Sequence, residues 1–222
     1  MKGIVLNFPR RFRRMPKTEA RMNLDAKSFL RRYGVMCFYV IAFAFGVLLG
    51  SIFASRCEKS TLESLDFLFT TNLDARLSQP MHMTFASSFA SNFLFLLGTF
   101  LLGLTAWGAF CIFLVPMFKG FGTGLCAGYL IINFGFRGVG FYLLVMLGGL
   151  FLMSFALLVM CGEAHAFSLS FLKLFMLRKE LPLSMNGMLR TYCLRSLYML
   201  MLSAGASLLD MLLWTAFAKL FF

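Results

Sequence analysis

Negative charge is scarce in this sequence of 222 residues, which holds nine Asp and Glu against 21 Lys and Arg. Charged residues make up 14% of the chain and apolar residues 60%, whereas soluble domains average roughly 25% and 45–50%. This balance excludes a water-soluble single domain. Two histidines and six widely spaced cysteines leave little for a metal site or a Ser-His-Asp triad. We therefore expect neither a cofactor nor an enzyme.

Long apolar runs fill most of the sequence. A membrane-spanning helix needs about 20 apolar residues, so the chain has room for several crossings with short connections. We predict an all-α integral membrane protein with a polytopic domain over residues 33–222. Its five transmembrane helices are expected at about 33–54, 89–115, 120–135, 139–161 and 196–218.

The basic residues are concentrated in two segments. Residues 1–32 form an arm with ten Lys and Arg, and a second basic loop is predicted at 166–195. Because basic loops stay in the cytoplasm, we expect a multi-pass protein of the plasma membrane, with its amino terminus inside and its carboxyl terminus outside. In the arm, Phe12 lies among arginines, a pattern that suits either anionic lipid headgroups or topology signalling alone. Nucleic-acid binding is a poor alternative, since the charges are scattered along helix ends.

An outer loop is predicted at 55–88, between the first two crossings. Its apolar side chains recur near helical spacing, with acidic residues between them. This pattern is typical of an amphipathic helix that lies outside the membrane core. We expect its apolar face to be a partner-binding surface that includes Leu62, Leu65, Phe69 and Leu73.

Small residues recur every four positions in two segments, which on a helix makes a smooth stripe where another helix can approach closely. The predicted helix-packing stripes are Ala42, Gly46, Gly50 and Ala54, and Gly120, Gly124 and Gly128. The second stripe lies in a run of only about 16 residues, which is thin for a bilayer core of about 30 Å. It forms either a short crossing or a re-entrant hairpin. The bias of basic charge toward the inside favours the crossing.

Four polar residues are expected to be buried among the helices: Asn92, Lys119, Asn133 and Asp210. Asp210 lies about halfway along an apolar helix, where an acid is costly and needs a partner. It forms either a structural pair or part of an ion or substrate pathway. Cys161, Glu163 and His165 look like metal ligands, but zinc requires three or four ligands and the spacing does not place these three together.

The stretch from Ser91 to Leu144 resembles the stage II sporulation protein M family. In that family a helix that opens with an Asn ends in a Lys-Gly turn, followed by a Gly-x-x-x-Gly helix, a Gly-rich corner and another long helix. The matching positions here are Asn92, Lys119 with Gly120, Gly124 with Gly128, and Gly135 with Gly138 and Gly140. A looser likeness extends over about residues 28–220.

The resemblance implies a non-enzymatic membrane scaffold of the engulfment machinery in endospore-forming bacteria. Its expected partners are the two peptidoglycan hydrolases called D and P in the same naming scheme, which cut septal and lateral peptidoglycan. A second hypothesis is a permease-like transporter subunit. Its path would run near Asp210, Asn133 and the glycine-rich hairpin, since transporters use discontinuous helices in this way.

Overall fold

The computed structural model describes residues 18–56, 80–177 and 185–221, and the regular structure in these ranges is helical. The chain divides into two compact units, residues 1–34 and 35–222, and the first is helical from Thr18. The all-α membrane fold predicted from the sequence is confirmed. The elements are α1 (Thr18–Ala54), α2 (Met81–Gly103), α3 (Gly108–Cys111), α4 (Leu114–Phe141), a π-helical turn (Tyr142–Met146), α5 (Leu147–Leu177) and α6 (Met185–Phe221).

Four helical stretches of the described chain are long and apolar enough to span a membrane, at 34–54, 81–103, 108–174 and 186–217. The third holds 67 residues and would reach about 100 Å if it were straight. It instead reverses at Gly135, whose φ of 56° and ψ of −131° suit glycine. Cys126 and Met146 meet across the reversal, with their sulfur atoms 3.7 Å apart. This stretch is therefore a helical hairpin, and the described chain contains five apolar arms.

The first arm of the hairpin begins earlier than predicted. The sequence prediction ends the second crossing at about residue 115 and begins the third at 120, whereas α2 ends at Gly103 and α4 begins at Leu114. Pro116 is the misleading signal, because proline breaks a helix interior but is tolerated in the first turn, where it lies here. From Leu114 to Gly135 the arm rises about 30 Å, which matches the thickness of a bilayer core.

Residues 104–113 connect α2 to α4, and a single side chain of α5 holds their backbone. The Ser168 hydroxyl donates to the Thr105 carbonyl at 2.7 Å and accepts a hydrogen bond from the Ala109 amide at 2.8 Å. The serine thus satisfies backbone groups that are costly to leave unpaired in an apolar environment. The sequence of this connection is itself apolar, which explains why the prediction continues the second crossing through it.

The predicted outer loop at 55–88 is partly helical in the structure. Residues 81–88 form the first turns of α2, and residues 57–79 lie outside the described part of the chain. The helix begins eight residues before the predicted start because its first turns carry serine, threonine and histidine among apolar residues. These polar side chains obscure the hydropathy signal without breaking a helix.

The last two helices are longer than predicted. Helix α5 continues to Leu177 and α6 begins at Met185, so the predicted basic loop at 166–195 is mostly helical. The predicted helices at 139–161 and 196–218 correspondingly end too early and begin too late. Lysine and arginine are good helix formers, so basic residues near a helix end do not terminate it.

The core of the second unit lies where α2, α5 and α6 pack together. The Tyr192 ring of α6 stacks on Phe100 of α2 and on Phe167 of α5, at centroid distances of 5.1 and 4.6 Å. Its hydroxyl donates to the Phe100 carbonyl at 3.1 Å. A second cluster joins the hairpin to α6 through an edge-to-face contact of Phe141 with Trp214. These contacts hold the helices that carry the buried polar residues.

Candidate functional site

The two predicted small-residue stripes lie against each other, on α1 and α4. Four glycines are so close to the opposite helix that an added Cβ atom would overlap one of its backbone carbonyl groups: Gly46, Gly50, Gly120 and Gly124. Gly128 faces the Ala54 side chain, and the Ser51 hydroxyl donates to the Gly124 carbonyl at 3.1 Å. Ala42, the first position of the α1 stripe, is half-buried. Because helices in lipid associate through close packing, this contact holds α1 firmly on the hairpin.

A polar cavity lies where α2, α4, α5 and α6 meet. The volume that the centres of water molecules can occupy in this cavity is about 40 Å³. This is room for a few waters, since each needs about 10–15 Å³. The polar side chains that line it come from three helices: Ser88 and Asn92 of α2, Lys119 and Thr123 of α4, and Asp210 of α6. Three of the four residues predicted to be buried and polar thus share one cavity.

Lys119 is the charged residue of α4 in this cavity, and only 6% of it is exposed. Its Nζ atom donates to Asn92 Oδ1 at 3.0 Å and lies 4.8 Å from the centre of the Phe95 ring. Asn92 in turn donates through Nδ2 to Ser207 Oγ of α6 at 3.1 Å. The asparagine therefore links the lysine of α4 to the serine of α6, and its two hydrogen bonds fix the orientation of its amide.

Asp210 supplies the opposite charge from α6. Its Oδ2 atom accepts a hydrogen bond from the Ser88 hydroxyl of α2 at 2.8 Å. Gly149 of α5 lets the acid approach, because a Cβ atom there would lie 2.9 Å from Asp210 Cβ. Ser88 and Asn92 are four residues apart, so one face of α2 presents both to the cavity.

A break in α-helical geometry borders the cavity. The π-helical turn at Tyr142–Met146 brings the buried Met146 to the cavity wall, three residues before Gly149. A π-helical turn inserts a residue into the helical register, and such turns occur frequently at functional sites. The polar cavity is therefore the candidate functional site of the described chain.

Asn133 does not line the cavity, and the prediction that it is buried among the helices is wrong. It is exposed, and its Nδ2 atom donates to the Tyr129 carbonyl of its own helix at 3.0 Å. Arg137 is exposed just after the reversal at Gly135. Both residues lie near the tip of the hairpin, beyond the point where the packing of the two arms buries side chains.

Sequence reasoning missed the serines that complete the polar contacts. Ser88 lies four residues before Asn92, and Ser207 lies three residues before Asp210. This spacing places each serine on the same helical face as its more polar neighbour. The spacing could therefore have identified both serines from the sequence. Serine is common in membrane helices as a packing residue, so the type of residue alone did not distinguish these two positions.

The three residues that look like metal ligands point to different neighbours. Glu163 forms a salt bridge with Arg195 of α6, whereas Cys161 is fully buried in the core. The ring of His165 lies edge-to-face with Tyr39 at a centroid distance of 6.0 Å. The predicted partner-binding residues Leu62, Leu65, Phe69 and Leu73 lie outside the described residues, as does most of the basic arm at 1–32.

The comparison with family models matches residues 39–218 to the stage II sporulation protein M family. Comparison with curated proteins and with solved structures gave no match. The matched region begins within α1 and ends within α6, so it includes the glycine contact, the hairpin and the whole polar cavity. The chain belongs to the stage II sporulation protein M family and is a sporulation-related, multi-pass membrane protein.

Proposed function

We propose that this protein is a non-enzymatic membrane scaffold that anchors and organises peptidoglycan hydrolases during engulfment. The observation that carries the proposal is the fixation of both helices that flank the outer segment 57–79. At the end of α1, Ala54 packs on Gly128, and near the start of α2, Ser88 bonds to Asp210. A partner-binding segment between two fixed ends would present its partners from a rigid base.

The expected partners are the D and P hydrolases that the family resemblance implies. The apolar face of the outer segment, with Leu62, Leu65, Phe69 and Leu73, is the proposed contact surface. The acidic residues between these positions would keep the free surface soluble at the membrane boundary. The basic arm at 1–32 is proposed to remain in the cytoplasm and to bind anionic headgroups, at about 1 kcal/mol for each basic residue near the surface.

A tagged purification from gently solubilised membranes of sporulating cells tests the scaffold, with mass spectrometry of the proteins that accompany it. We expect peptidoglycan hydrolases to be enriched. Gly124→Leu should lower their recovery, because the new side chain would force α1 away from α4. Gly98→Leu is the matched control, since a Cβ atom at Gly98 meets nothing within 4 Å.

A second set of variants addresses the outer segment directly. Leu65→Glu combined with Phe69→Glu should remove the hydrolases while leaving the amount of protein in the membrane unchanged, because these side chains belong to the proposed contact surface and not to a spanning helix. Unchanged recovery of hydrolases from both the Gly124 and the outer-segment variants would contradict the scaffold.

The polar cavity favours a second candidate function, that of a permease-like transporter subunit. Charged residues within membrane segments frequently mark ion or substrate paths, and Lys119 and Asp210 line one cavity beside a reversed, glycine-rich hairpin. Asp210→Asn separates the candidates. Transport would collapse in this variant if the cavity is a path, whereas a scaffold would lose only stability. Recovery of a nucleotide-binding ATPase, with no hydrolase, would also favour the transporter.

A further inference from the structure

The surroundings of the Lys119 ammonium group combine three features that recognise cations. An amide oxygen, Asn92 Oδ1, accepts its hydrogen bond, and the face of Phe95 lies beneath it. Aromatic faces attract ammonium ions through the negative charge density above the ring. Asp210 provides a carboxylate that lines the same cavity. We propose that this cavity is a binding site for a primary ammonium cation, and that the Lys119 side chain is its built-in occupant.

The hydrogen bonds around the site favour a positive occupant. Asn92 can turn only its oxygen toward the lysine, because its Nδ2 atom is engaged by Ser207. Ser88 donates a hydrogen bond to Asp210, so this carboxylate is held as an acceptor in the cavity wall. The polar side chains around the ammonium group therefore offer oxygen atoms as hydrogen-bond acceptors, which suits a positively charged donor.

The size of the cavity limits what could replace the lysine. The space beside Lys119 admits a few water-sized groups. Truncation of the lysine stem would add room for a small ammonium ion with one methyl group. A quaternary ion such as tetramethylammonium has no N–H to donate to Asn92 and is bulkier, so it should fit poorly.

The site also explains how one charge joins three helices. Lys119 of α4 contacts two residues of α2 and shares its cavity with the acid of α6. Removal of the cation takes away the hydrogen bond to Asn92 and the positive charge in the cavity that Asp210 lines, and loss of a charge from the interior costs more than loss of one neutral contact. A cation in this cavity would stabilise the helix bundle whether or not the protein acts as a scaffold.

The test uses chemical rescue of the purified full-length protein in detergent. Lys119→Ala should lower the Tm, and methylammonium chloride should restore most of that loss relative to sodium chloride at the same ionic strength. Tetramethylammonium chloride should not. Lys119→Met is the matched control, because its side chain fills the space without a charge and leaves no room for methylammonium. Lys119→Ala combined with Asp210→Asn should also show no rescue, since the negative charge is gone.

Equal effects of methylammonium and sodium on Lys119→Ala would overturn the proposal, as would equal rescue of all variants. If Lys119→Ala cannot be purified in folded form, a second test keeps Lys119 and moves the carboxylate to another position in the cavity. Asn92→Asp combined with Asp210→Asn keeps one carboxylate, now in direct contact with Lys119. This double variant should be more stable than Asp210→Asn alone if the occupant is a cation. A double variant no more stable than Asp210→Asn would overturn the proposal.

Discussion

The hydroxyl of Ser88 holds the carboxylate of Asp210 in the wall of the polar cavity. Asp210 is the only acid within the long apolar part of α6, and Ser88 donates to its Oδ2 atom at 2.8 Å. The bond crosses from α2 to α6, between residues 122 positions apart in the sequence. Such a contact orients the carboxylate toward the cavity and joins the first half of the membrane domain to the last helix.

Ser88→Ala should therefore destabilise the protein. Interhelical hydrogen bonds in membranes contribute about 1 kcal/mol, which corresponds to a decrease in Tm of about 2–4 °C for a chain of this size. Ser87→Ala is the control, because the Ser87 hydroxyl donates to the Thr84 carbonyl of its own helix and not to another helix of the described chain. Thermal unfolding in detergent compares the two, and an equal decrease for both would contradict the assigned role of Ser88.

At the scale of the elements, two local irregularities shape the hairpin and its connection to α2. The reversal at Gly135 converts one apolar stretch into two arms, and the connection at 104–113 allows α4 to begin before Pro116. The connection at 104–113 is apolar in sequence, and backbone polar groups in apolar surroundings need partners. Glycine supplies the conformation at the first, and Ser168 supplies the hydrogen bonds at the second.

Gly135→Ala should destabilise the protein by about 1–3 kcal/mol, since its backbone conformation is strained for any residue with a Cβ atom. Gly98→Ala should have the opposite effect, with a gain of up to about 1 kcal/mol. Gly98 lies inside α2, and an added Cβ atom meets nothing within 4 Å. Unfolding in detergent would measure both variants. A stable Gly135→Ala protein would show that the reversal does not require glycine.

Ser168→Ala tests the connection between α2 and α4. Loss of the hydroxyl leaves the Ala109 amide without this partner in a buried position, which should cost about 1–3 kcal/mol. Ser170→Ala serves as its control, because the Ser170 hydroxyl bonds to the Ala166 carbonyl of the same helix and is exposed. Hydrogen exchange at residues 104–113 should increase in the first variant alone. No difference between the variants would argue against this capping role.

At the scale of the whole molecule, the glycine contact indicates which helix ends share a side of the bundle. Gly128 meets Ala54, and Gly135 follows Gly128 by two turns. The hairpin tip therefore lies toward the same end as the last turn of α1. This arrangement agrees with a crossing by the first arm of the hairpin.

Cysteine labelling in intact cells tests this topology. The native cysteines other than Cys57 are replaced by serine, and Phe136→Cys or Ser184→Cys is introduced. A membrane-impermeant maleimide should label Cys57 and the cysteine at position 136 from outside, because α1 ends on the side of the bundle where the hairpin tip lies. The cysteine at position 184 should react only after permeabilisation, as the basic residues nearby favour the cytoplasm. Labelling at 136 only after permeabilisation would refute the crossing.

The spacing of polar and apolar residues predicts some features well and others poorly. Apolar length identified a helical membrane protein, and the four-residue spacing of glycine identified both packing stripes. Helix ends were predicted less well, because Pro116 lies in a permitted first turn and because Lys173 and Arg190 lie within α5 and α6. Local composition does not show whether a serine far along the chain will form hydrogen bonds with the backbone groups where a helix is interrupted.

The sequence by itself determined the class of protein and the family, since both follow from properties that every part of the chain carries: hydropathy, charge and the order of its glycine and polar positions. Only the tertiary structure decided which residues act together. It placed the two stripes on each other, left Asn133 on the surface, and brought Lys119, Asn92 and Asp210 into one cavity with Ser88. Contacts between residues this far apart depend on the packing of whole helices, and no local pattern encodes them.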